Sequence, residues 1–258
     1  MFRMMALLLL YSLVLSCSSK SNSAKNEDNT RAEQNGGQNS FDENLIPFLQ
    51  PVKDSKTGFL VGGKNKTSLI RGLTEINNVP IDLLEANMRP GARMKDPLKA
   101  EAYLDGSSKG FLGPNEKLLE ILAEDNEYVV EKMGLSHQRL ARLLKIAASF
   151  GSYDNQFNQF SKDKDEFFSY RDNHYKIRIK SWKGDQFSPF LDGTLTYSDA
   201  ELENLTLKKT LRYSLLLPFM IERYGFYEGK GTAYRVEPKD IIELFPFLEK
   251  VGKSANNN

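Results

Sequence analysis

The sequence predicts an α+β fold: a helical hairpin, then an antiparallel sheet, with short helices near the C-terminus. Three observations lead there. Between Gly113 and Gly151 apolar residues recur at helical spacing, interrupted once by a stop and a new start. From Tyr175 the apolar period changes to two. After Leu215 helical spacing returns twice, once before Gly225 and once after Pro238.

The chain opens with Arg3 and an almost wholly apolar run, Met4 to Leu15. This run is too short to span a bilayer as a helix, which takes about 20 residues. It has the length of a signal-peptide core, about 7–15 residues. It ends at Ser16-Cys17, and Cys17 is the only cysteine in the protein. Leu13-Val14-Leu15-Ser16-Cys17 resembles the lipobox of bacterial lipoproteins, with Leu15 where a small residue is commoner. That resemblance implies cleavage before Cys17, diacylglycerol on its thiol, and often a further acyl chain of the palmitate type on the new amino group. It also implies a membrane partner through Cys17 and, because Ser18 follows, the outer rather than the inner membrane of the cell envelope.

Ser18 to Asn44 is polar, and Phe41 is its only large apolar residue. Such a segment cannot bury enough surface to offset the entropy of ordering. The expected organisation is therefore a signal peptide over 1–16, a lipidated cysteine and polar tether over 17–44, one globular domain over 45–250 and a disordered tail over 251–258. Leu45 to Leu49 is expected to dock the chain onto the domain.

Lys and Arg number 35 against 34 for Asp and Glu, a net charge of +1. That balance gives no footing for nucleic acid. One acylated thiol leaves no intramolecular disulfide.

The domain begins with Gly58 to Asn65, GFLVGGKN, which departs from a phosphate-binding loop where Asn65 replaces the hydroxyl residue. It reads as a turn between short extended pieces. Asp82 to Met88 reads as a short helical turn, broken by Arg89-Pro-Gly. Gly113 and Pro114 are expected to start the first long helix, Gly134 to end it and Ser136 to cap the second. His137, in the first turn of the second, is expected at the surface. Ser152 to Asp172 reads as a connector pinned by Phe157, Phe160, Phe167 and Phe168. Its Asp163, Asp165 and Glu166 lack the glycine and late glutamate of a calcium loop.

Tyr175 to Trp182 alternates as a half-buried strand with Lys176, Arg178 and Lys180 outward. Leu195–Tyr197, Leu202–Leu207 and Thr210–Ser214 are expected strands, with Lys208-Lys209 at a turn. A helix is expected over Leu216–Tyr224. Phe226 to Val236 is expected as an extended hairpin around Gly229-Lys230-Gly231, and Pro238 opens the last helix.

No catalytic, metal or dinucleotide fingerprint is present, so no cofactor and no metal are expected. The candidate ligand site is the aromatic and charged cluster Arg223, Tyr224, Tyr227, Glu228, Lys230, Tyr234 and Arg235. Rings beside charges suit stacking on a sugar or gripping a peptide. The function expected is a membrane-anchored envelope lipoprotein that binds a protein or glycan partner. The alternatives are an exported hydrolase using carboxylates such as Glu222 and Glu228, or a structural envelope component.

Overall fold

The alternating run at Tyr175 becomes an inner strand of a four-stranded antiparallel sheet. The computed structural model describes residues 52–53, 58–61, 63–95, 103–105, 107–151 and 164–248, all inside one compact unit, Gln38–Asn258. The signal segment, the tether, the docking stretch, the tail, and Phe157, Phe160 and Asp163 lie outside the described residues. In chain order the elements are β1 (Val52–Lys53), β2 (Leu60–Val61), α1 (Thr67–Arg71), β3 (Glu75–Ile76), β4 (Val79–Pro80), α2 (Ile81–Asn87), β5 (Arg93–Lys95) and β6 (Tyr103–Asp105). There follow α3 (Leu118–Asn126) with a π-helical continuation over Glu127–Lys132, then α4 (His137–Ser149), β7 (Asp165–Tyr170), β8 (Asn173–Phe187), β9 (Leu195–Asn204), β10 (Lys209–Ser214), α5 (Leu217–Tyr224) and α6 (Pro238–Leu244). The α+β class and its order, helical hairpin before sheet before short C-terminal helices, stand as the sequence predicts.

The sheet runs β10-β9-β8-β7. One face buries Phe168, Tyr175, Ile177, Ile179, Ala200, Leu202, Leu211 and Tyr213. Helices α4 and α6 cover this face: the Tyr213 hydroxyl donates to the Leu144 carbonyl at 3.0 Å and the Tyr175 hydroxyl to that of Leu244 at 3.4 Å. Phe150, Phe168 and Tyr175 stack in sequence, with centroids 4.3 and 5.0 Å apart. The outer face is a chequerboard of charge. Lys176 pairs with Glu203 at 2.6 Å, Arg178 with Asp165 at 2.7 Å and Arg212 with Glu201 at 2.6 Å. Two of the three predicted outward cations are therefore met by acids on neighbouring strands. Exposed pairs of this kind each contribute about 0–1 kcal/mol.

Four local expectations change. Helix α3 starts at Leu118, four residues after Pro114, because Glu116 folds the preceding turn. Its carboxylate accepts the Gly113 N–H at 2.6 Å, while Arg89 donates to the carbonyls of Gly113 and, at 2.7 Å, of Glu116. The cap then comes from another element: Glu85 of α2 accepts the Leu118 N–H at 2.9 Å. Second, the expected connector contains strand β7. It pairs with β8 across Arg171-Asp172, both at positive φ (44° and 61°), a two-residue turn without the usual glycine. Third, Leu195–Tyr197 and Leu202–Leu207 merge into one strand, β9, ending at Asn204, and the turn spans 205–208. Fourth, Phe226 to Val236 forms no strands. Two backbone bonds close it: the Val236 N–H donates to the Tyr227 carbonyl at 3.3 Å across its two arms, and the Thr232 N–H to the Gly229 carbonyl at 3.1 Å within the turn.

Helix α4 is the pivot. Ser136 caps it through the Arg139 N–H at 3.3 Å, as its sequence position predicts. Residues 140–148 are all buried, Arg142 and Lys145 included. Amphipathic spacing predicts one apolar and one wet face. Here the second face packs against α5, and Lys145 meets Glu222 there.

Candidate functional site

The seven predicted ligand residues do not form one surface. The Tyr227 ring is 0 % exposed and cannot stack on a ligand. Tyr224 is buried too, its hydroxyl donating to Asp192 at 2.9 Å and its ring stacked on Phe190. Arg223 donates to the same carboxylate at 2.9 Å. These two residues pin the loop between β8 and β9 onto α5. Lys230 is exposed but paired with Glu124. Arg235 donates through both terminal nitrogens to Asp125, at 3.2 and 2.7 Å, and also binds Glu237 and the Glu228 carbonyl. Of the seven, Tyr234 alone reaches an open cleft.

The glycines flanking Lys230 serve packing. The Glu116 carboxylate lies against Gly229 and accepts the Gly231 N–H at 2.8 Å. A side chain at 229 would strike that carboxylate and come within 3.0 Å of the Leu112 Cα. Glu222 and Glu228, the pair weighed for hydrolysis, sit buried in separate surroundings, Glu222 on Lys145 and Glu228 under Thr232.

His137 is buried, contrary to its expected surface position, because the chain after α5 closes over it. Gly225 lies so close that a Cβ there would meet the imidazole at 2.9 Å, and its φ of 68° also favours glycine. The imidazole links two elements. Its Nε2 lies 3.3 Å from Asn126 Oδ1, an acceptor, and its Nδ1 lies 2.9 Å from the Tyr227 hydroxyl. A neutral ring protonated on Nε2 satisfies both contacts, with the tyrosine donating. Asn126 in turn donates to the Asn65 carbonyl at 2.9 Å and to Thr67 Oγ1 at 3.1 Å, and Thr67 donates to Glu131 at 2.5 Å. Burial pulls the His137 pKa down to about 4, which keeps the imidazole neutral.

Glu228 carries a different tension. It is 1 % exposed and sits at φ 69°, a left-handed conformation rare for a residue with a Cβ. Burial pushes its carboxyl up to about 8, and the charge of Asp199 adds to that effect. An unfolded glutamate titrates near 4.5. Above that pH the unfolded chain releases a proton that the folded one keeps, so this carboxyl's stabilising contribution is lost as pH rises through 8. Between pH 6.5 and 8 the loss amounts to about 2 kcal/mol. Urea unfolding across that window should give a declining stability in the wild type and a flatter profile in Glu228→Gln. Equal slopes would show that Glu228 is ionised in the fold.

The open cleft lies at the far end of the sheet. Ser181 pairs with Ser198 and Gln186 with Thr196, leaving residues 182–185 of β8 opposite Tyr197 alone. This bulge throws Trp182, Lys183, Gly184 and Asp185 outward, with Gly184 at φ 103°. The resulting cleft of about 440 Å³ is closed by Thr196 to Asp199 of β9, Ser214 of β10, residues 107–109 and Tyr234. That volume falls in the range of ligand clefts, roughly 300–1,000 Å³. Trp182 is 58 % exposed, yet its indole N–H donates to Asp199 Oδ2 at 2.9 Å. The ring is thus held while much of its surface faces water. Tyr234 is 46 % exposed. Below them Ser214 donates to Gln186 Oε1 at 2.7 Å, and the hydroxyls of Ser181 and Ser198 lie 2.9 Å apart. Burial raises the pKa of Asp199.

Sequence reasoning placed Trp182 only as the end of a strand and missed Asp199, Gln186 and Ser214. One signal was present: the chain's single tryptophan ends the alternating run and stands beside Lys183-Gly184-Asp185. Comparison with protein-family models, curated proteins and solved structures finds no match, so these residues carry the functional argument.

Proposed function

We propose that this chain is a lipoprotein of the bacterial cell envelope, anchored through Cys17, whose soluble domain binds an envelope or extracellular partner in the cleft beside Trp182. The observation that carries the anchor is the position of the only cysteine, directly after a short apolar run and Ser16. A thiolate is the side chain best suited to forming a stable thioether. Two or three acyl chains hold where a single chain is marginal, each buried methylene contributing about 0.8 kcal/mol.

The partner side of the reading rests on the cleft. An exposed tryptophan held by a half-buried carboxylate, a second exposed ring and several polar groups at one concave site suit binding.

Fractionation of the native host tests the anchor. Wild-type protein should sediment with membranes, preferentially outer membranes, and resist high-salt extraction. Cys17→Ser should accumulate as uncleaved precursor in the membrane fraction, because lipid transfer to the thiol precedes cleavage. Mature-sized Cys17→Ser protein in the soluble fraction would instead mark an ordinary signal peptide and remove the anchor.

A further inference from the structure

We infer that the ligand of the cleft is a glycan, held by stacking one sugar ring on Trp182, with Tyr234 a second exposed ring lining the same cleft. This deepens the binding role proposed above and rests on it.

The chemistry of the walls selects the ligand. The apolar C–H face of a pyranose meets the electron-rich face of an aromatic ring favourably. Trp182 is prepared for that contact, because its N–H already donates to Asp199 Oδ2 at 2.9 Å. Little rotamer freedom remains for the ring to lose when a ligand arrives. A sugar's edge is a row of hydroxyls, each both donor and acceptor. The cleft answers with both kinds. Asp199 has a second carboxylate oxygen to accept, and Gln186, which receives the Ser214 proton on Oε1 at 2.7 Å, has its NH₂ to donate. Lys109 and Asp185 add one donor and one acceptor at the rim.

Other ligand classes fit less well. A nucleotide would also stack on the indole, but Asp185 and Asp199 offset Lys109 and Lys183 at the cleft, so no net positive charge gathers there for its phosphates. A lipid tail would leave the polar groups of the walls without partners. A proline-rich peptide, which also docks on exposed aromatic rings, is the nearest competitor. It would leave most of the donors and acceptors below the rings unused, since such a peptide offers mainly backbone carbonyls.

The single tryptophan makes the test direct, because all tryptophan emission comes from position 182. The full chain, purified in mild detergent, is titrated with oligosaccharides of glucose, galactose, mannose, N-acetylglucosamine and a uronic acid. A proline-rich decapeptide and a short single-stranded DNA are titrated in parallel. At least one oligosaccharide should shift the emission with saturation at or below millimolar concentration. By calorimetry, Trp182→Ala and Tyr234→Ala should each weaken that ligand at least tenfold while the melting temperature stays within a degree or two. Asp199→Asn should weaken it as well. The inference is overturned if no oligosaccharide moves the emission, if the peptide or DNA alone does, or if both ring variants bind a sugar as tightly as the wild type. A peptide-only response would keep this cleft as the binding site and replace its ligand. The state of Cys17 is read separately by fractionation, so loss of the glycan and loss of the anchor are distinguishable.

Discussion

Replacing Lys145 by alanine should destabilise the domain by about 3–5 kcal/mol, because it strands a carboxylate in the interior. The Lys145 and Glu222 side chains are 7 % and 2 % exposed and form an ion pair between α4 and α5. The ammonium also lies 4.1 Å from the centre of the Phe219 ring. Removing the lysine leaves Glu222 with neither water nor counter-charge. Removing both charges is a different matter. Lys145→Met with Glu222→Leu fills the space with apolar atoms and should cost far less than the single change, near neutrality. Urea unfolding of Lys145→Met, of Glu222→Leu and of the double variant gives the coupling energy. A single-variant loss below about 1 kcal/mol would mean that water reaches Glu222.

A second loss of similar size, about 3–5 kcal/mol, is expected for Arg235→Ala. The guanidinium is 5 % exposed and joins Asp125 at the end of α3 to Glu237 before α6, and also donates to the Glu228 carbonyl. Burial already holds the Asp125 carboxyl up at about 6 against the pull of the guanidinium. Without the arginine, this carboxylate would have to take up a proton or open to water. The segment 226–237 has little ladder bonding of its own, so Arg235 acts as its main tie to α3. Tyr234 stands next to that tie. Arg235→Ala should therefore loosen one rim of the cleft as well as lower stability. Arg235→Lys should recover little, because an ammonium cannot present two parallel N–H bonds to Asp125 while serving Glu237. Recovery by lysine to within about 1 kcal/mol of wild type would show that charge alone matters there.

Periodicity and punctuation account for the parts of the fold that were legible. Ser136, Gly225 and Pro238 stand at helix boundaries where local chemistry decides the backbone, and the alternation at Tyr175 follows from one buried face. Strand β7 was hidden because its turn, Arg171-Asp172, uses positive φ without a glycine. The burial of His137 was hidden for another reason. It depends on Gly225 and Tyr227, about 90 residues away, closing over the helix. Arg142 and Lys145 look like a solvent face until a second layer covers them. The cluster around Gly229 and Tyr234 misled because charge and aromaticity read the same in a list whether buried or exposed. Tyr227 and Arg235 build the interior, while Trp182, forty-five residues earlier than Tyr227 in the chain, gains its role only when the bulge opens the strand opposite Tyr197.

The proposed membrane tether stands on the chemistry of one sulfur. The intact mass of the protein purified from its native host measures it directly. The account predicts a chain that begins at residue 17 and carries diacylglycerol in thioether linkage. A chain that still begins at Met1, or one with an unmodified thiol at Cys17, would contradict it.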